Sequence, residues 1–130
     1  MPHLTILEEH GFFTKWSGTI TVAELIQMQE QAHADPRFDS IHYSIHDFSE
    51  CNELVFDQSG IEYMAAIDAA ASKSNAEIKL AIVAANTALA KGISSYQSTG
   101  LSPFPLRLFS SLDEARAWVT QGGHALVWPP

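Results

Sequence analysis

The sequence predicts an α/β fold: a mostly parallel five-stranded sheet with an N-terminal hairpin strand at one edge and about four helices, ordered ββαβαβαβα. Three observations point there. Two short runs near the start alternate apolar and polar residues, as half-exposed strands do. Ile78 to Ala85 is a near-continuous apolar run, which suits a central parallel strand covered on both faces. Helical segments opened by Ser/Thr-x-x-Glu sequences alternate with the strands, as in βαβ units.

Taken in order, His3 to Glu9 and Phe12 to Ser17 form the hairpin around His10-Gly11, with Phe12, Thr14 and Trp16 on one face. Gly18 breaks the run. Thr21-Val-Ala-Glu24 is a capping box for a helix that reaches about Ala34 and stops at Asp35-Pro36. Ile41 to Asp47 is the next strand, with Ile41, Tyr43 and Ile45 opposite His42, Ser44 and His46. The polar stretch Phe48 to Asp57 reads as a loop. Ser59-Gly-Ile-Glu62 is a second capping box, opening a helix to about Ser74 with Ser59 as N-cap. After the apolar strand, Asn86 is the expected N-cap of a helix to about Thr99, and Pro105 to Phe109 is the last strand. Ser111-Leu-Asp-Glu114 opens the final helix, which Gly122-Gly123 stops.

The 130 residues suit a single domain, 1–130, and 46% apolar with 17% charged residues is a globular composition. Net charge is −8, against nucleic-acid binding and against electrostatic docking on anionic lipid. The acids are concentrated: residues 1–65 hold 11 acids and 2 bases, whereas 66–130 hold 4 and 5. A single cysteine, Cys51, allows no intramolecular disulfide and fits a reducing compartment. Met1-Pro2-His3 begins no signal peptide, and no apolar run is long enough to span a bilayer, so a cytoplasmic location is expected.

Catalytic chemistry finds little support. His42 and His46 on one strand face would stand about 13 Å apart, too far to share a zinc ion, and Asp47 points to the opposite face. No metal or cofactor is expected. No nucleophile elbow, P-loop or dinucleotide fingerprint occurs. Cys51 lies between Glu50 and Glu53, which would raise its thiol pKa, and the nearby carboxylates show no contrast of environment suited to acid–base work. The protein is expected not to be an enzyme.

The informative stretch is Ile45-His-Asp-Phe-Ser-Glu-Cys-Asn-Glu-Leu-Val-Phe-Asp-Gln-Ser-Gly-Ile61. It resembles the central motif of STAS domains, the family of the anti-sigma-factor antagonist SpoIIAA: a strand ending in Asp, a short loop to a second Asp, then Ser and Gly opening a helix. Asp47 matches the first Asp, and Asp57-Gln58-Ser59-Gly60 the second element. The intervening stretch is about two residues longer than in partner-switching members, and Gln58 replaces a hydroxyl residue. Asp35-Pro36-Arg37-Phe38 and Leu112-Asp-Glu-Ala-Arg-Ala-Trp-Val119 look closer to the small stand-alone bacterial SpoIIAA-like proteins, described as STAS/CRAL-TRIO-like. That resemblance implies an apolar or lipid-like ligand and transient contact with the inner membrane face.

Two functions follow as expectations. The first is a non-enzymatic binding module holding an apolar or lipid-like molecule between helices 60–74 and 86–99, lined by Met64, Ile67, Leu89, Ile93 and Tyr96. The small residues of these helices also fit close core packing, which apolar stripes more often mean. The alternative is a partner-switching regulator, with a regulatory protein as partner and a phosphoacceptor loop of Asp57, Ser59 and Gly60. Leu101, Pro103 and Phe104, with Leu126, Val127 and Trp128, form either an apolar surface patch or a tether. The hairpin edge offers a route to a homodimer.

Overall fold

The computed structural model describes residues 3–84, 87–101 and 103–120. Its elements are β1 (His3–Leu7), β2 (Gly11–Thr21), α1 (Val22–Ala34), a 3-10 turn (Pro36–Ser40), β3 (Tyr43–Val55), α2 (Gln58–Ala71), β4 (Lys79–Val83), α3 (Thr87–Ser98), β5 (Leu106–Phe109) and α4 (Leu112–Val119). The sheet runs β1-β2-β3-β4-β5, with β1 antiparallel to β2 and every other pair parallel. The expected α/β architecture, hairpin edge included, is the one observed.

The alternation read from the sequence sorts the strands onto two faces. Ser44, His46 and Phe48 of β3, with Leu80 and Ile82 of β4, face a layer made by α1, α2 and α3. Tyr43, Ile45, Ala81 and Val83 face α4, where Ala115 and Val119 meet them. β4 is therefore covered on both sides, as its apolar run requires. At the hairpin, Glu8 N–H donates to the Gly11 carbonyl at 2.7 Å. A Cβ on Gly11 would lie 2.4 Å from Tyr43 Cδ1 and 2.5 Å from the Tyr43 carbonyl oxygen, so only glycine lets β2 start this close to β3.

The stretch 48–57 is mostly strand rather than loop, because β3 continues to Val55 and β2 continues past Gly18 to Thr21. Two irregularities hid this. Lys15 pairs with Asp47 but Ser17 with Glu50, and Gly18 pairs with Cys51 but Thr19 with Glu53. Each step places one extra residue in β3, a bulge that disrupts the two-residue alternation. As a result Phe48, Cys51 and Leu54 all turn inward at a spacing of three. Gly18, at φ 75°, supplies the positive φ beside the second bulge. Asp47 is buried at the first, where its Oδ1 accepts the Ser49 N–H at 2.9 Å.

The other differences are smaller. α2 ends at Ala71 instead of Ser74, and residues 72–74 continue as hydrogen-bonded turns. Phe104 is buried with Phe12, Phe38, Ile41 and Ile78, so it tethers its loop rather than forming a surface patch, whereas Leu101 is exposed. The expected cap Asn86, the stop at Gly122-Gly123 and the terminal Leu126, Val127 and Trp128 lie outside the described residues.

Candidate functional site

The motif Asp57-Gln58-Ser59-Gly60 sits where β3 hands over to α2, and the N-cap is Asp57, not Ser59. Asp57 Oδ1 accepts the Gly60 N–H at 2.6 Å and the Ser59 hydroxyl at 3.1 Å. Asp57 has the extended backbone of a cap (φ −129°, ψ 163°), and Ser59 lies inside the first turn with its side chain exposed. The Ser-x-x-Glu pattern misled because Asp, two residues upstream, is an equally good capping residue and the helix starts two residues earlier, at Gln58. Glu62 instead accepts the Gln58 side-chain amide at 3.3 Å. By contrast, Thr21 and Glu24 form the full reciprocal capping box of α1, and Ser111 accepts the Glu114 N–H of α4.

Gly60 is required by packing. A Cβ there would lie 2.5 Å from Val22 Cγ1 and 3.0 Å from Asp57 Oδ1. The first turn of α2 thus rests directly on the first residue of α1, and the phosphoacceptor loop inferred from the sequence is a rigid junction between two helix starts.

Beneath α2 lies a cavity of about 120 Å³, bounded by the sheet and by α1, α2 and α3. Of the residues named from the sequence, Met64, Leu89, Ile93 and Tyr96 line it and Ile67 does not. Helical arithmetic accounts for this exception. Ile61, Met64, Ala65 and Asp68 share one face of α2, and Ile67 lies about a quarter-turn or more to the side. The apolar residue was thus a worse candidate than Asp68, its polar neighbour.

Asp68 is 4% exposed and anchors the polar part of the wall. The Gln29 side-chain amide donates to Oδ1 at 2.8 Å, His33 Nε2 lies 3.2 Å from the same oxygen, and the Tyr96 hydroxyl donates to Oδ2. α1, α2 and α3 are therefore tied together by one carboxylate. On the strand side, Trp16 Nε1–H donates to His46 Nδ1 at 3.3 Å, and His46 Nε2 lies 3.2 Å from Ser44 Oγ. An indole can only donate, so the proton of the neutral imidazole resides on Nε2 and points to Ser44. Burial lowers the His46 pKa to about 4, against the opposing pull of Asp68; His3 lowers it slightly further. His46 is thus a neutral, hydrogen-bonded wall residue.

Across the sheet, Arg116 clamps Glu8 through two bonds of 3.0 and 2.8 Å, and the Tyr43 hydroxyl donates to the same carboxylate. Arg116 holds the Glu8 pKa below its usual value, outweighing burial; burial and then Glu8 push Tyr43 up to about 12. This cluster fastens the hairpin to α4. Cys51 is buried, and that burial raises its pKa, the direction expected but from desolvation rather than from Glu50 and Glu53. Among the described residues, no group of three His, Cys, Asp or Glu side chains is placed to hold a metal ion, and no helix is long and apolar enough to cross a membrane.

No family model matches the sequence, and no curated protein is significantly similar to it. Solved structures do match. The anti-sigma factor antagonist SpoIIAA in its unphosphorylated form superposes with a TM-score of 0.60 at 10% identity, covering 92% of this chain and 98% of that one. An anti-sigma factor antagonist from Mycobacterium paratuberculosis gives 0.59 at 25% identity, over 92% and 93%. An uncharacterised DUF3478 protein from Shewanella loihica PV-4, described as having a SpoIIAA-like fold, gives 0.52 at 15% identity, over 90% and 91%. The strand order, the hairpin edge and these superpositions agree: the chain has the SpoIIAA-like fold of STAS domains.

Proposed function

We propose that this chain is a non-enzymatic regulatory module that binds a protein partner at the start of α2 and is switched by phosphorylation of Ser59. The observation that carries this reading is the division of labour at the junction. Asp57 caps the helix, which leaves the exposed Ser59 hydroxyl without a necessary structural role. Two of the matching structures are described as anti-sigma factor antagonists, and one of those is specified as unphosphorylated.

The consequence of modification follows from the geometry. A phosphoryl group on Ser59 Oγ removes the hydroxyl hydrogen that Asp57 accepts and sets two negative groups against each other. The helix N-terminus attracts the phosphate, so the carboxylate is the group driven away, and the cap loosens. A partner that reads the junction then meets a different surface. Labelling with radioactive ATP in a lysate of the native host, comparing wild type with Ser59→Ala, tests this. Label lost with Ser59→Ala supports the reading; equal labelling rejects it.

A second reading, an apolar molecule held in the cavity, is favoured by the convergence of Met64, Leu89, Ile93 and Tyr96 on one apolar, partly open space. A cavity of this order takes a molecule about the size of benzene; a lipid acyl chain is much larger. Native mass spectrometry of gently purified protein is the test. A bound small molecule, or uptake of toluene, supports it. Protein that carries nothing and takes up no toluene counts against it.

A further inference from the structure

β1 stands at one end of the sheet, and among the described residues nothing pairs with its outer edge. That edge lacks the usual protection: His3-Leu-Thr-Ile-Leu7 contains no Lys, Arg, Asp, Glu or Pro and pairs with β2 without a bulge. Leu4 and Ile6 lie opposite Lys15 and Phe13 of β2, which puts them on the α4 face of the sheet. α4 reaches the hairpin only through Arg116, over the Phe13 ring and onto Glu8. Leu4 and Ile6 are left 63% and 47% exposed.

The direction of the backbone groups decides what fits this edge. Glu8 N–H donates to the Gly11 carbonyl, so the Glu8 backbone turns towards β2. That direction alternates along an antiparallel ladder, so Ile6 and Leu4 also bond β2, while the N–H and C=O groups of His3, Thr5 and Leu7 point outward. The 3.0 Å between the Thr5 and Thr14 hydroxyls agrees, because side chains come closest at pairs that exchange no backbone bonds. We infer that the occupant of this edge is a second copy of the chain, its β1 running antiparallel about a two-fold axis at Thr5. Thr5 then exchanges two main-chain bonds with its counterpart, and His3 exchanges two with Leu7 on each side of the axis. The same register sets Leu4 directly against Ile6, twice, so the four exposed apolar side chains meet on one face. A slip of one residue would set outward groups against inward ones, and a slip of two would lose one of the bonded pairs. No charged side chain crosses the axis, and Glu8, next along the chain, is already held by Arg116. Both copies use the same surface, so the assembly closes at two.

An interface of one short strand pair is small, and sedimentation equilibrium of the untagged chain from about 10 μM to 1 mM spans the weak association it supports. Sodium chloride at about 0.3 M screens the repulsion between two chains of net charge −8. The expected result is a reversible monomer–dimer equilibrium. Leu4→Lys with Ile6→Lys opposes like charges at both apolar pairs and should weaken association about tenfold or more. Leu4→Lys with Ile6→Glu opposes unlike charges in this register alone and should restore it. Both variants change exposed side chains, so their circular dichroism spectra should match wild type. Wild type that stays monomeric overturns the inference and leaves the edge to a strand from another protein; growth beyond the dimer overturns the two-fold closure. A dimer that persists with Leu4→Lys and Ile6→Lys overturns β1 as the interface. Equal weakening by the two variants overturns the register.

Discussion

The two faces of the sheet are built differently. On the α4 face, Ala81 and Ala115 are fully buried, and a single short helix lies close against the strands with Val119 and Ile45 interlocked beside them. On the other face, three helices meet over larger side chains, and the space where they converge is not filled. Small residues let one helix approach; three helices around a common centre cannot all approach at once. The first face serves as scaffold. The second carries the cavity, the polar wall and, at the start of α2, the exposed Ser59.

If that contrast is right, the largest loss should come from truncation on the scaffold face. Ile45 is fully buried, and Ile45→Ala should destabilise the protein by about 2–5 kcal/mol in urea unfolding. A cost below about 1 kcal/mol would mean this face is less closely packed than described.

The cavity face should announce itself through pH. The His46 pKa is lowered to about 4 from an ordinary 6.5, chiefly by burial, so the unfolded chain takes up the proton first as pH falls. The contribution is therefore complete above pH 6.5 and lost between 6.5 and 4, about 3 kcal/mol in all. Replacing the group with His46→Leu should flatten the stability-versus-pH curve in that window relative to wild type. Parallel curves would refute the role given to His46.

Added volume should sharpen the contrast in the opposite sense. Ala115→Leu, with no space to enter, should cost about 1–3 kcal/mol, whereas Ile93→Phe at the cavity should be neutral or stabilising by up to about 1 kcal/mol. Equal costs for the two, in thermal or urea unfolding, would erase the distinction between the faces.

The smallest effect concerns the cap. Asp57→Ala should cost about 0.5–2 kcal/mol and Ser59→Ala less than about 0.5 kcal/mol. The reverse ranking would return the capping role to Ser59.

Most of the fold was legible because it depends on periodicity. The alternation in β2 and β3, the apolar run of β4 and the Thr21–Glu24 box each encode one local geometry. Two features escaped. The extension of β3 reads as a polar loop because its bulges turn Phe48, Cys51 and Leu54 inward at a spacing that belongs to neither strand nor helix. The cap of α2 was misplaced because Asp57 and Ser59 satisfy the same local rule, and only the three-dimensional contact with Gly60 N–H separates them. Met64, Leu89, Ile93 and Tyr96, chosen from the sequence for their largely apolar character, lie on the cavity wall. The same criterion passed over Asp68, Gln29 and His33, whose burial depends on partners 28 to 39 residues away in the chain. Testing α2 for a shared face, with Asp68 one turn beyond Met64, would have recovered the first of them.

α2 also joins the two candidate sites mechanically. Its 14 residues make a rod about 21 Å long, with Ser59 near one end and Met64 and Asp68 roughly one to two and a half turns along it. The rod is pinned at its start by Gly60 against Val22 and towards its far end by Asp68, which accepts from Gln29 and Tyr96 and lies beside His33. A molecule in the cavity that tilts it moves the Ser59 surface as well, and a partner gripping that surface changes the cavity in return. Any such coupling obeys thermodynamic reciprocity: the factor by which ligand alters partner affinity equals the factor by which partner alters ligand affinity.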